Sequence, residues 1–433
     1  METKSARIAE IAKERPKEKF ISLYHFLNEE MFLQCHRELA ADKAAGIDKV
    51  TKEEYEKGLA EKLINLVDRL KKHSYKPQPA LRVDIPKDNS KEMRPLGMLA
   101  YEDKIVQQGL KKIMEAIYEQ VFLSCSFGFR PGLSCHDALR ELKRRLMGRI
   151  GYVVDADIRS FFNNVNHEWM IKIIGERIAD PNILRLINRF LKAGVMVEGK
   201  FEPTELGTQQ GGVISPLLAN IYLHYVLDLW FEKAIRPACH GEAGLVRYAD
   251  DLVVCFQYKG EAEKFYQLLK ERLAKFKLEM AENKSKIIMF GRFAAINREK
   301  QGLGKPDTFD FLGFTHYCSE TKSGKFVVKR KTSKKKFKAK VKAFKQWMIK
   351  VKNHLDIHEI FEITSAKLRG HYNYYGVTDN YRMIHRYYWV VVELLFKWLN
   401  RRSQRKSFSR EKFYMYLKVN PLPNPKIYVD MSS

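Results

Sequence analysis

Apolar residues recur at three- and four-residue spacing through "ISLYHFLNEEMFLQCHREL" (21–39) and again from Tyr55 to Leu70. That period predicts helices over residues 1–75. Between them "AAGIDKVT" (44–51) reads as a turn and a helix start, with Thr51 as N-cap and Glu54 completing a capping box. "PALRVDIPK" (79–87) alternates apolar and polar positions between prolines, which predicts a strand. Tyr101–Val121 returns to the helical period, and the short β-branched run "GYVVDADI" (151–158) predicts a buried strand. Pro216–Trp230 reads as a largely apolar helix. "LVRY" and "LVVCF" predict a hairpin with Asp250 and Asp251 at its tip. A helix over Ala262–Phe276, a strand at "SKIIMF" (285–290) and a last strand-like run, "FDFLGFTHY" (309–317), follow.

Charge changes the picture after that point. No acidic residue occurs from Thr321 to Leu355, where lysine is dense. Phe337, Val341, Phe344, Met348, Val351 and Leu355 fall on one stripe, so the segment predicts a basic amphipathic helix. Lys334, Lys335, Lys336 and Lys338 are its candidate phosphate contacts. The shift near residue 320 marks a domain boundary, and no internal repeat is evident. The whole chain of 433 residues carries 78 Lys plus Arg against 52 Asp plus Glu, a formal net charge of +26. A chain that basic is expected to meet a polyanion. No apolar run is long enough to span a bilayer, so a membrane partner is not expected. The charged N-terminus lacks the apolar core of a signal peptide, and the six cysteines show no paired spacing. Together these predict reduced thiols and a cytoplasmic location.

Two carboxylates at a hairpin tip are costly to bury but well suited to a divalent metal, with magnesium preferring oxygen ligands. One hairpin offers too few ligands. "VVDADI" supplies more, because Asp155 and Asp157 lie two apart on a strand and share a face. A strand carboxylate beside a hairpin carboxylate gives the arrangement for two-metal nucleotidyl transfer. Asp251, next to Asp250, should point the other way. In "IPKDNSKEMRPLG" (85–97), Lys87 and Arg94 sit on an apparent β-hairpin and could clamp a triphosphate. Gly211 and Gly212 would permit close approach of a base or primer.

These blocks occur in the order found in reverse transcriptases: "SFGFRPG" (126–132), "DADIRSFF" (155–162), "GTQQGGVISPLLANI" (207–221), "YADD" (248–251), "NKSKI" (283–287) and "FLGF" (311–314). The chain resembles the bacterial group II intron reverse transcriptase–maturases. The resemblance extends over "LYHFLNEEMFLQCHRELAADKAAGIDKVT" (23–51), like the family's N-terminal finger extension, and "LRGHYNYYG" (368–376), like its thumb. It implies an α+β right-hand polymerase: an N-terminal extension and fingers (1–150), a palm of antiparallel sheet and packed helices (151–320) and a helical thumb with a basic C-terminal segment (321–433). By the same resemblance Asp157, Asp250 and the Ile158 carbonyl hold two Mg2+ ions, with Mn2+ as a substitute, and Asp251 is a less direct acid. Lys87 and Arg94 bind the triphosphate, Phe162 lies against the sugar 2′ position, Gln210 lies near the incoming nucleotide, and Lys284 lies near the pyrophosphate. The implied partners are an RNA template, group II intron RNA, a DNA primer or target, and deoxynucleotides. The implied setting is the bacterial cytoplasm, at the nucleoid when DNA is bound.

The chain departs from the pattern at three places. Gln209 stands where the family usually has proline, Asn163 where aspartate is usual, and "NKS" replaces a commoner "EKT". No cysteine follows Cys318, so the tail resembles the subgroup without a cysteine-paired endonuclease. "NRRSQRKSFSR" (400–410), with Arg401, Arg402 and Arg405, is then the candidate DNA-binding region. Three rivals stand beside this reading: a host-recruited polymerase of DNA repair or phage defence, a splicing factor with an idle polymerase, and an RNA-copying RNA polymerase. Phe162 and Tyr248-Ala249 argue against the last.

Overall fold

The computed structural model describes residues 2–86, 93–402 and 408–431. The chain condenses into two units, one of residues 1–138 and 153–287, the other of 139–152 and 288–433. Both mix helices with separate sheets, an α+β composition.

In the first unit, α1 (Glu2–Glu14), α2 (Glu29–Glu38), α3 (Lys52–Glu56) and α4 (Leu59–Lys71) supply the expected N-terminal helices. The capping box is present: Thr51 accepts from the Glu54 N–H, and Glu54 accepts from the Thr51 N–H. β1 (Ala80–Pro86) pairs antiparallel with β2 (Met93–Met98), as the alternation predicted. α5 (Tyr101–Tyr118) buries Ile105, Val106, Leu110, Ile113, Met114 and Ile117. α6 (Cys135–Leu146) runs across the boundary between the units. β3 (Tyr152–Ala156), α7 (Phe161–Asn164), α8 (His167–Ile174) and α9 (Pro181–Leu191) follow. β4 (Val195–Val197) and β5 (Lys200–Glu202) complete a sheet of order β2-β1-β4-β5.

α10 (Ser215–Leu223) is shorter than its apolar run suggests. The backbone widens into a π-helical turn over His224–Asp228 before continuing to Ile235. β6 (Ala243–Tyr248) and β7 (Asp251–Phe256) form the expected hairpin, and α11 (Lys259–Lys275) leads to β8 (Lys286–Met289). The four strands lie in the order β6-β7-β3-β8. That order is what brings the end of β3 beside the β6–β7 tip.

The second unit holds α12 (Ala294–Lys300), then β9 (Phe309–Phe311), β10 (Phe314–Glu320) and β11 (Phe326–Thr332) in a three-stranded sheet. "FDFLGFTHY" is therefore not one strand. Leu312 and Gly313 both take positive φ, 48° and 79°, the signature of a tight two-residue turn pairing Phe311 with Phe314. Nor is it the last strand, since β11 lies inside the lysine-rich run. The basic helix, α13 (Lys334–Val351), begins only after Ser333 caps it. Phe344 and Met348 are its buried stripe, and Leu355 lies beyond its end. α14 (Ile357–Tyr375), α15 (Tyr381–Leu399) and α16 (Arg410–Val419) complete the unit.

Candidate active site

Asp157 follows β3 at a point where the backbone is held from one side. Its N–H donates to Ser285 Oγ at 3.1 Å, and its carbonyl accepts from the Ala281 N–H at 2.8 Å. Ser285 Oγ in turn donates to the Ala281 carbonyl at 2.9 Å. The Arg159 N–H donates to Glu279 at 2.8 Å, so Ile158 and Met280 form the non-hydrogen-bonded pair of an antiparallel bridge. Such a pair turns its own N–H and C=O outward. The Ile158 carbonyl therefore faces away from Met280. Lys284 Nζ lies 3.2 Å from Asp157 Oδ2, an ion pair well exposed on the lysine side.

The second carboxylate is placed by the hairpin. Ala249 and Asp250 make the turn, with Ala249 at φ 56°, while Asp251 is already the first residue of β7, paired with Tyr248. The tip thus presents Asp250, not both acids, and Asp251 is exposed on the strand. A non-glycine residue at positive φ is strained, so something must hold it. Arg247 does. Its buried guanidinium donates from Nη1 to the Ala249 carbonyl at 2.8 Å and to Asn220 Oδ1 at 3.0 Å. Nε and Nη2 bind the two oxygens of Asp228 at 2.8 and 2.6 Å, and Nη2 also reaches Ser126 Oγ at 2.7 Å. All five guanidinium N–H groups are used. The "SFGFRPG" segment runs beside β6, and a Cβ on Gly128 would lie 2.4 Å from the Ala249 nitrogen. Glycine is required there by that close approach.

Burial raises the Asp250 carboxyl above its usual range, and the charge of Asp157 adds to the rise. A backbone hydrogen bond, Arg94 and Arg247 pull it down. Acids from β3 and the hairpin thus share a field with a cation from β2. Arg94, on β2, pairs with Ile85 of β1. Lys87 lies outside the described residues.

Phe162, Asn163, Gln210 and Gly97 are among the walls of a cavity of about 220 Å3. Phe161 is buried and packs edge-on to Tyr222, while Phe162 is half-buried. Gln210 Nε2 donates to Asn163 Oδ1 at 3.2 Å, and its carbonyl accepts from the Gly97 N–H at 2.6 Å. Gly211 sits at φ 105°, and a Cβ there would lie 2.9 Å from the Gly97 carbonyl. Close packing against β2 thus requires glycine at 211.

A family model for reverse transcriptases (RNA-dependent DNA polymerases) matches residues 85–316. The group II intron-encoded protein LtrA of Lactococcus lactis subsp. cremoris is 30% identical over 451 residues, covering 87% of this chain and 74% of that protein. The chain belongs to the group II intron-encoded reverse transcriptases. Protein YkfC of Escherichia coli K12 is 37% identical over 238 residues, 48% of this chain and 62% of YkfC. The mitochondrial nuclear intron maturase 2 of Arabidopsis thaliana is 29% identical over 175 residues, 31% of this chain and 24% of that protein.

The reverse transcriptase's oxygen-only donors, two carboxylates and an outward carbonyl, fit a hard divalent ion that completes its shell with water and substrate phosphate. Among the described residues no group of three His, Cys, Asp or Glu side chains is arranged to hold a metal by itself. In the second unit Lys334, Lys335 and Lys338 are exposed, and Lys336 is half-buried. Arg401 lies over the Trp398 ring, and Arg402 donates to the Leu355 carbonyl at 2.6 Å, a helix-tethering contact. Arg405 lies outside the described residues. Among the described residues no helix is long and apolar enough to cross a membrane. Sequence reasoning missed Arg247, Asn220, Ser126, Asp228 and Ser285. Only the arginine among strand apolars gave a signal.

Proposed function

We propose that this RNA-directed DNA polymerase joins deoxynucleotides to a DNA primer on an RNA template at Asp157, Asp250 and the Ile158 carbonyl. These groups would hold two Mg2+ ions, with Mn2+ as a substitute. When bound, the ions lower the pKa of the primer hydroxyl and stabilise charge on the phosphorus centre. The observation that carries this reading is that Asp157 and Asp250, from separate chain segments, lie close enough for the charge of Asp157 to raise the Asp250 carboxyl, with Arg94 beside them. Arg94, with Lys87, takes the triphosphate charge. Phe162 excludes a sugar 2′-hydroxyl, Gln210 contacts the incoming nucleotide and Asp251 plays an indirect part. Lys284 balances Asp157 in the free protein and turns to the pyrophosphate in the complex.

In this reading residues 1–150 act as N-terminal extension and fingers, 151–320 as palm and 321–433 as thumb. Maturase work, binding group II intron RNA to assist splicing and mobility, falls to the basic thumb. The first turn of α13 contains no acid, and Lys334, Lys335 and Lys336 crowd the positive end of the helix dipole. An RNA or DNA phosphate there, also reached by Lys338, would relieve that repulsion, while Arg401 and Arg402, near the other end of α13, and Arg405 would serve as a separate basic DNA contact. The test is Asp250→Asn, with primer extension and RNA binding measured on one preparation. Extension should vanish while RNA affinity, which rests on lysine and arginine, stays within about twofold. A variant keeping a tenth of wild-type extension would sink the metal-ligand assignment.

A further inference from the structure

α15 turns Ile384, Tyr387, Val391, Val392, Leu395 and Leu399 into the second unit. That stripe already satisfies its need for a core. Yet the face flanking that stripe carries large rings at four-residue spacing, Tyr381, His385 and Trp389, with Tyr381 51% and Trp389 43% exposed. Residues four apart stack along a helix face. The Tyr381 and His385 rings stack at an interplanar angle of 27° with centroids 5.8 Å apart, and His385 and Trp389 meet edge-on at 6.2 Å. Trp389 Nε1 donates to His385 Nε2 at 3.1 Å, which fixes the histidine tautomer and holds the ridge in shape.

Exposed Arg382 and Arg386 flank this ridge. Beyond Trp389 it opens into a groove of about 970 Å3 with apolar walls that include Val390, Leu394, Phe396 and Phe408. Lys397, Arg401 and Arg410 add positive charge. Glu393 is the one acid among the lining residues, and Arg410 covers both its oxygens at 3.1 and 3.2 Å. Arg410 is thereby paired, while Arg382, Arg386 and Lys397 stand as exposed cations beside exposed aromatic rings.

We infer that this ridge and groove form a stacking platform for unpaired bases of single-stranded nucleic acid, resting on the proposed RNA-binding role of this unit. Bases stack on Tyr381, His385 and Trp389, and phosphates meet Arg382, Arg386 and Lys397. Every base has a π-face, so the platform is tolerant of sequence. An acidic peptide would satisfy the cations but leave the ring ladder unused.

The test uses the full chain and an unstructured oligonucleotide of about a dozen residues, the length scale of such sites, made as RNA and as DNA. Each is compared with a copy whose internal residues are abasic, which keeps the phosphates and removes the bases. Wild-type protein should bind the base-bearing strand at least about fivefold more tightly than the abasic one. Tyr381→Ala/Trp389→Ala should lose that preference while binding the abasic strand as wild type does. The tighter of the RNA and DNA arms names the ligand. Equal wild-type affinity for base-bearing and abasic strands would overturn the platform, as would a double variant that keeps the preference. A wild-type chain that cannot extend primers would fail the polymerase reading instead and leave the abasic comparison standing.

Discussion

Replacing Arg247 with methionine should destabilise the first unit by about 3–5 kcal/mol, the usual cost of leaving one partner of a buried ion pair alone. Methionine keeps most of the length and the apolar stem. What it removes is the guanidinium, leaving Asp228, 0% exposed, with its charge unpaired. Asn220, Ser126 and the Ala249 carbonyl lose a donor at the same moment. Against a typical total of about 5–15 kcal/mol, that loss is about a fifth or more of a domain's stability. The neighbour best able to compensate is His224, whose Nδ1 lies 3.9 Å from Asp228. Burial pushes His224 down to about 4, Asp228 pulls it up and Arg247 pushes it down further. Without Arg247 its pKa rises, so a protonated His224 can pair with Asp228 in mild acid. The defect should therefore be smaller near pH 5 than near pH 8. Arg247→Lys keeps the charge but has fewer donors, and should fall between. Arg247→Met/Asp228→Met removes both charges and should recover most of the loss. Urea unfolding gives the total, and hydrogen exchange of the β6 and β7 amides assigns it to this unit. A single variant within about 1 kcal/mol of wild type, or a double variant no better than the single, would refute the reasoning.

Phe162→Ala should lower the ratio of kcat/KM for a deoxynucleotide over its ribonucleotide by about tenfold to a hundredfold, from loss of a steric clash. Phe161→Ala, at a ring 1% exposed, should instead cost about 3–5 kcal/mol of stability and leave the ratio alone; the reverse pattern would shift the register by one residue. Asp103 gives a pH dependence. Burial lifts it from 3.8 to about 7, although the Tyr75 hydroxyl and the Gln78 N–H pull it back. The folded protein then keeps a proton that the unfolded chain releases, so stability falls as pH rises through that window. Urea midpoints across it should decline for wild type and flatten for Asp103→Asn, and a flat wild-type profile would exclude the effect.

Local signals carried much of the fold. Thr51 and Glu54 sit at capping-box spacing, and "LVRY" and "LVVCF" flank a two-residue turn, so each element announces itself within a few residues. The turn at Leu312–Gly313 did not, because leucine rarely takes positive φ and the flanking aromatics read as one run. β11 was hidden by charge. In "FVVKRKT" only the burial alternates, with Val328, Arg330 and Thr332 inward, so three apolar residues followed by cations give no strand period. Arg247 was visible as a charge amid strand apolars. Its partners at 126, 220 and 228 were not, since nothing local joins them to 247.

The same distinction explains how the site tolerates an unusual loop. Proline at 209 would stiffen the approach to Gln210 by fixing φ, and this chain has Gln209. The stiffness comes from elsewhere. The Gly207 N–H donates to Val165 and the Thr208 N–H to Phe162, each at 2.7 Å, and His167 Nε2 lies 2.7 Å from the Gly207 carbonyl. A Cβ on Gly207, at φ 88°, would lie 2.8 Å from the Phe162 carbonyl. The Gly212 N–H closes the loop on Gln209 at 3.0 Å, and Gly97 binds the Gln210 carbonyl from β2. Hydrogen bonds to two elements thus do what one fixed dihedral would. They also tie the Phe162 backbone and the Gln210 backbone to the same short loop. In the proposed reading, the residue that tests the sugar and the residue that meets the nucleotide are set by one piece of geometry, so a change at Gly207 should disturb both together.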